Sequence, residues 1–382
     1  MPVTLTAPEP LRDVASLALS ANERRVLDLV RRAEGTTRAD ITHLTQLTAQ
    51  SISRIVESLE NSGLIHVGER ALKGRGQPSV RLHVNHDAAY GVGLSVMTDA
   101  ISGVVMDLGG EVVAKDWLHL GATTLDAVLE SCALLYERLL AKAGIAANQV
   151  VGVGTGVTGF FVGDGRKLNP PDPLGDLAMV ELDVLLAESL QRPVWVDNDG
   201  NVAAIGESLC GVGLAHSNFA YVFFSLGLGG GVVIDGRVFP GAWGNAGEYS
   251  GILPIEEQPH RPTLELLRQM MAERGRHHPD IYDMIRHFAI DAPGVEEWID
   301  QARPKVKSIC SAIAAVIDPS AIVLGGRIPK VLADRLASDV AFDAMPRRSI
   351  EKPFPAILVS QVDGDATAIG AAATALKATL FI

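Results

Sequence analysis

Val196-Asp-Asn-Asp-Gly-Asn201, followed by Ser225-Leu-Gly-Leu-Gly-Gly-Gly231 and Ala246-Gly-Glu248, is the stretch on which the reading of this chain turns. An apolar run ends in short polar side chains. Then come glycines that let backbone N–H groups approach an anion closely, and then a single carboxylate. Such a set suits a pocket for a polyhydroxylated ligand. The alternative to that reading makes Asn198 and Asp199 turn residues closing a strand, Glu248 a solvated loop acid, and Gly227, Gly229 and Gly230 a tight hairpin.

Working outward, strands are expected at Gly91–Val96, Ile101–Asp107 and Glu111–Trp117, with a helix at about 124–143 and buried strands at Val150–Gly154 and Arg192–Val196. A looser copy of this order follows residue 218, with strands at Tyr221–Ser225, Gly230–Ile234, Arg237–Phe239 and Ala321–Leu324 and helices near 263–274 and 295–317. Near-duplication of this kind predicts two α/β lobes with a ligand cleft between them.

The N-terminal part reads differently. Ser20-Ala-Asn-Glu23 and Thr37-Arg-Ala-Asp40 carry helix-start signals, and Ile52, Ile55, Val56 and Leu59 form the apolar stripe of a third helix at about Ala49–Asn61. Gln50, Ser51, Ser53 and Arg54 occupy its polar face. Leu64–Val67 and Val80–Val84 make a hairpin whose turn holds Lys73, Arg75 and Gln77. Three helices and a basic hairpin predict a winged helix-turn-helix that reads the major groove with its third helix and touches phosphates with its wing. A small packing module is the alternative, but it would not need the charges at the wing tip.

The net charge of −12 is unevenly spread: residues 1–87 carry 11 Lys/Arg against 10 Asp/Glu, and the remainder 22 against 35. A slightly basic segment on an acidic chain fits a modest phosphate-contacting module. Cys132, Cys210 and Cys310 form no paired framework, no stretch of about 18 apolar residues occurs, and the first residues lack a secretory pattern, so a cytoplasmic home is expected.

These spaced motifs, together with Gly74-Arg-Gly-Gln-Pro78, Glu207, Leu324-Gly-Gly-Arg327 and Gly364-Asp-Ala-Thr-Ala-Ile-Gly-Ala-Ala372, resemble the ROK family of repressors and sugar kinases over nearly the whole chain. The resemblance implies an actin-like two-lobed fold behind the winged helix. The expected units are 1–87 (with 1–19 a tail), 88–196 as lobe 1 and 197–382 as lobe 2, with the C-terminal helix packing back on lobe 1. It also implies roles. Asp199 stands where the kinases hold their general base, Asn198 beside it, and Glu248 and Glu265 match sugar-binding acids. Asn169 and Gly159 fall in the sugar-contacting loop, and Gly325 and Gly326 where an adenosine would lie.

The pattern is also broken. The kinases open with an Asp-x-Gly-x-Thr loop that holds metal and phosphates. Gly91-Val-Gly-Leu-Ser-Val-Met97 is the matching stretch, with Gly93 read in the aspartate's place and Asp99 left as a turn residue. The family's zinc-binding His and cysteine cluster are replaced by Gly251 and Glu256-Glu-Gln-Pro-His-Arg-Pro-Thr263, and His260 alone cannot make a site. His277 and His278 are read as surface residues. The expectation is a regulator without catalysis, ATP or metal, most simply a repressor that binds operator DNA as a homodimer, or a tetramer built from it, under control of a sugar or sugar-derived ligand. An ATP-dependent sugar kinase with a fused DNA-binding domain is the rival.

Overall fold

The structure is a computed structural model that describes residues 17–33, 35–71, 79–163, 167–343, 348, 350, 352–362 and 364–381. Three helices open the chain: α1 (Ala21–Arg32), α2 (Arg38–Thr45) and α3 (Ala49–Asn61). Both expected start signals form reciprocal caps, Ser20 with Glu23 and Thr37 with Asp40, and Thr48 caps α3. A short strand β1 (Thr36–Thr37) pairs with β3 (Ser79–Val84), which in turn pairs antiparallel with β2 (Ile65–Ala71). The expected hairpin therefore gains a third strand, supplied by the link between the first two helices. Lys73, Arg75 and Gln77 lie outside the described residues.

Lobe 1 is a five-stranded sheet in the order β10-β7-β4-β5-β6, built from β4 (Tyr90–Val96), β5 (Ala100–Asp107), β6 (Val112–His119), β7 (Val150–Val157) and, beyond a small hairpin β8 (Phe160–Val162) and β9 (Lys167–Asn169), β10 (Val194–Asn198). β4, β7 and β10 run parallel, and β5 and β6 antiparallel. Helices α4 (Leu125–Ala143) and α5 (Leu182–Leu190) cover one face, with Val128, Leu135, Leu139 and Leu186 in its core.

Helix α6 (Asp199–Cys210) leads to lobe 2, whose sheet runs β13-β12-β11-β14-β15, from β11 (Phe219–Phe224), β12 (Leu228–Ile234), β13 (Arg237–Val238), β14 (Ala321–Gly326) and β15 (Ala356–Val359). Helices α7 (Leu264–Glu273), α8 (Ile281–Arg286), α9 (Val295–Val316) and α10 (Lys330–Asp339) surround the buried Trp298. The last helix, α11 (Ala366–Thr379), returns to lie across β4, β5 and β7 and against α6.

The approach of α11 is what the glycine-rich strands permit. A Cβ on Gly93 would stand 1.9 Å from the Ala368 carbonyl oxygen, and one on Gly154 would stand 2.0 Å from that of Ala371. At those separations only glycine fits, and the Ala-rich face of α11 completes the contact. The distances also correct the reading of Gly93. It lies beneath α11, and it is Ser95, two residues further along the same strand face, that lines the interlobe cleft.

Replacing Gly154 with Ala should destabilise the chain by about 2 kcal/mol or more, because backbone rather than a flexible side chain must yield. Gly121→Ala, where an added Cβ meets open space, should be near neutral. Urea unfolding compares the two, and equal midpoints would refute the packing account.

Candidate functional site

β10 ends where α6 begins, so the polar run Asp197–Asn201 is spent on a strand-to-helix junction rather than a simple turn. Asn198 caps the helix, its side-chain oxygen accepting from the N–H groups of Gly200 (2.8 Å) and Asn201 (3.2 Å). Its Nδ2 donates to the Gly159 carbonyl at 2.5 Å. Asp197 accepts from Asn201 Nδ2 at 3.0 Å, and burial raises its carboxyl above the ordinary range.

Asp199 is the first residue of α6 and is buried. Its Oδ2 accepts the Thr158 hydroxyl at 2.6 Å, its Oδ1 accepts the Gly200 N–H at 2.9 Å, and the Thr367 hydroxyl of α11 donates to its carbonyl at 3.3 Å. Burial pushes its carboxyl up to about 6. The hydrogen bonds from Thr158 and Gly200 hold it back, and the Asp365 charge adds to the rise.

Glu248 faces it from the loop after β13. Gly247, at φ +106°, brings that loop so close to β12 that a Cβ would stand 2.4 Å from the Gly230 carbonyl oxygen. Glu248 keeps solvent contact yet is surrounded on most sides by protein. Desolvation, then the Asp199 charge, push it to about 7. Asn245 fastens the same loop to lobe 1, accepting the Phe161 N–H at 2.7 Å and donating to its carbonyl at 2.9 Å. Asn169 pairs with Phe160 across β8–β9 and is exposed beside Gly159. The fold thus brings Asn198, Asp199, Glu248, Gly159 and Asn169 near one another, and of these Asp199 lines the cleft between the lobes.

Other expected site residues fall elsewhere. Glu265 sits on α7 with its carboxylate held by Arg268 (2.7 and 2.9 Å) and Gln269 (2.9 Å), and the carboxylate charge that reaches it is that of Asp99. Of the supposed phosphate turn only Gly227 is in the turn; Gly229 and Gly230 are within β12. Gly230 is a packing residue, since a Cβ on Gly200 would meet its Cα at 2.8 Å. Gly325 backs onto the Tyr221 hydroxyl, which accepts the Gly326 N–H at 2.8 Å, and Gly326 lines the cleft. Glu207 is fully buried and structural, accepting from Ser360, Gln361 and Val212.

The cleft between the lobes encloses about 1310 Å³ and runs from Asp199, Ser95 and Thr367 past Arg327 towards Arg31 of α1. Asp365 caps α11, accepting from the Thr367 and Ala368 N–H groups at 2.9 and 3.1 Å, and the Ser102 hydroxyl also donates to it. The positive end of α11 is therefore filled by the chain's own carboxylate.

Asp99, passed over in the sequence, is buried, and its two oxygens take both terminal nitrogens of Arg327 at 2.9 and 3.0 Å. The Tyr282 N–H adds a third bond at 2.9 Å, and the Tyr282 ring meets Trp117 at 4.3 Å between centroids. Asp99 and Trp117 belong to lobe 1, and Arg327 and Tyr282 to lobe 2, so this ion pair ties the lobes together. No local signal marks it, because its partners are 228 residues apart.

In the N-terminal unit, Gln50, Ser53 and Arg54 are exposed along α3, while the Ser51 hydroxyl turns back to Thr48 at 2.9 Å. Arg24 of α1 grips the end of α11, donating to the carbonyls of Phe381 (2.7 Å), Lys377 (2.5 Å) and Ala378 (3.1 Å), and Arg31 lies 4.9 Å over the Phe381 ring. Val26, Leu27 and Val30 share one core with Leu376, Leu380 and Phe381.

Arg327→Ala leaves the Asp99 carboxylate buried and unpaired, which should cost about 3 kcal/mol and free the lobes to separate. Hydrogen exchange should rise at 97–99 and 282–286 more than elsewhere, and unchanged protection there would refute the latch.

The ROK family pattern matches residues 92–262, and the MarR family pattern residues 19–76. An uncharacterised protein, y4fQ, of Sinorhizobium fredii is 30% identical over 92% of this chain and 90% of its own length. The xylose repressor of Bacillus subtilis is 26% identical over 59% of each chain, so the match spans little more than half of that relative. Among solved structures, a ROK family transcriptional regulator described as a homologue of the E. coli Mlc protein superposes with a TM-score of 0.71 at 21% identity, covering 94% of this chain and 97% of that one. With a MarR-type winged helix ahead of two actin-like lobes, this chain belongs to the ROK family.

Proposed function

We propose that the protein is a sugar-responsive transcriptional repressor. Its winged helix binds operator DNA, and a sugar or sugar-derived effector occupies the cleft end formed by Asn198, Asp199 and Glu248. One observation carries this reading: α11 touches both sites. At its start the Thr367 hydroxyl bonds the Asp199 carbonyl, and at its end Arg24 of α1 caps its last carbonyls. Fourteen helical residues make a rod of about 21 Å. A ligand that moves α6 and α11 relative to β4 shifts α1, and coupling needs only that the ligand prefer one arrangement. The likeness to a xylose repressor supports the ligand class. A homodimer fits the need for two half-sites, since one module binds too weakly.

The reading includes no kinase reaction. Near Asp199 the cleft offers Ser95 and Met97 where a phosphate-binding loop would have to hold a metal and donate hydrogen bonds. Asp365 already fills the α11 terminus, and Arg327 is engaged by Asp99. Two acids, Asp199 and Asp365, would repel an incoming phosphate. The rival keeps one point in its favour, a buried Asp199 with its pKa near neutrality, which suits a general base. ADP release on a hexose and amino-sugar panel, abolished by Asp199→Asn, would overturn the regulator reading.

The primary test is a thermal-shift screen over sugars, then operator binding with and without each hit. At least one sugar should raise Tm and change operator affinity. A screen with no hits, or hits that leave operator affinity unchanged, would refute the reading. Arg24→Ala should shrink the effector-induced change in operator affinity several-fold while the sugar still binds. An undiminished response would exclude α11 as the link.

The raised carboxyls set a pH dependence. Asp199, moved from 3.8 to about 6, and Glu248, from 4.5 to about 7, favour the folded chain when protonated. Their stabilisation is complete below about pH 4 and is lost as pH rises through 6 to 7. Without ligand, Asp199→Asn should therefore stabilise the chain at pH 8, by on the order of 1–3 kcal/mol, and much less at pH 5. Thermal melts at the two pH values measure this, and an equal effect at both would contradict the buried-acid account.

A further inference from the structure

We propose that His278, Asp283 and His287 form a binding site for a divalent transition metal of the zinc class. One ligand atom from each lies within 4.8 Å of the others. Asp283 and His287 stand four residues apart at α8 and its C-terminal cap, and that spacing places them on one face. His278 comes from the loop joining α7 to α8. The Asp283 carboxylate bridges the two imidazoles, with Oδ2 at 2.7 Å from His278 Nδ1 and Oδ1 at 3.0 Å from His287 Nδ1. The rings lie nearly parallel, 13° apart, with centroids separated by 6.5 Å.

The surroundings hold these groups in place. His278 is buried, contrary to the surface position expected for it, while His287 is open to solvent. Arg268 donates to the His278 carbonyl at 2.9 Å, and Asp280 caps α8 through the Asp283 N–H at 2.7 Å. His278 Nε2 is buried and has no partner among the described residues, so the ring orientation rests on Nδ1. The donor set decides the metal. Two imidazole nitrogens and one carboxylate oxygen suit zinc, cobalt or nickel, whereas magnesium and calcium prefer oxygen alone. Three protein ligands leave a position for water. The stretch that matches the family's zinc motif, Gly251 and residues 256–263, is a different place in the sequence and holds no cysteine.

The location gives the ion a consequence. Between His278 and Asp283 lies Tyr282, whose N–H bonds Asp99 and whose ring meets Trp117 across the cleft. An ion joining the loop to the first turn of α8 and its C-terminal cap fixes the element through which lobe 2 touches lobe 1 on that side. This site stands independently of the effector reading.

The test uses untagged full-length protein stripped of metal. Zinc is titrated in competition with a chromophoric chelator, and cobalt is added separately to read its visible absorption. The wild type should take up one zinc per chain at micromolar or lower free metal, with a Tm increase and a cobalt spectrum of low coordination number. His287→Ala, at an exposed position that spares the fold, should weaken zinc binding at least 10-fold and lose the cobalt bands. Asp283→Asn should do likewise, and His277→Ala should bind as the wild type does. Wild-type protein that takes up no zinc at these concentrations would overturn the site and leave a hydrogen-bonded His–Asp–His set. So would zinc binding that His287→Ala and Asp283→Asn leave intact.

Discussion

Everything in this fold hangs on the close packing of α11 against β4, β7 and α6. A helix normally rides on a sheet at a distance set by its side chains. Here Gly93 and Gly154 remove the side chains from the strands, alanines thin the helix, and Gly370 meets the backbone of Val202 in α6. The backbones come together, and the contact gains in dispersion and fixes one register. That placement puts Thr367 and Asp365 at the Asp199 end of the cleft and Phe381 under α1. The pocket and the DNA-binding unit are held by opposite ends of one helix.

The cleft is bounded by cross-lobe ties. Asn245 joins the Glu248 loop to β8, and Asp99 of lobe 1 joins Arg327 and the Tyr282 N–H of lobe 2. Each places polar groups where water is scarce and satisfies them with several partners, so each is strong when whole and costly when broken. Such ties suit a molecule with two lobe arrangements, since a ligand need only outweigh a few discrete contacts to favour one of them. Asp199 and Glu248 are held at the cost of raised proton affinity, the price of placing two acids in one partly dry pocket.

Much of this was legible in the residues. Helix caps at Ser20 and Thr37, the strand pattern through lobe 1 and the Asn198–Asp199 pair depend on neighbours in sequence, and they appear where local chemistry put them. Three residues whose surroundings come from distant parts of the chain are not legible in this way. Counting along the motif puts Gly93 in the aspartate's place, and a shift of two along a strand keeps the same face, so alternation does not reveal that Ser95 is the residue at the opening. A glycine's purpose depends on what approaches it, and Gly230, which the sequence offers as a phosphate cradle, is approached by Gly200 of α6. His278 looks exposed in the sequence because its burial comes from the packing around α7 and α8.

The local elements, the two-part organisation and the identities of the polar groups at the end of β10 are set by neighbouring residues, because hydrophobic period, capping and turn chemistry act over a few residues. Which of those groups share a pocket, that Asp99 meets Arg327, and that α11 links Asp199 to α1 come from the packing of the whole chain. These pairings span up to 357 residues. They arise when the chain gives up conformational entropy to bury its core, and one global packing, not any local preference, sets which distant groups meet.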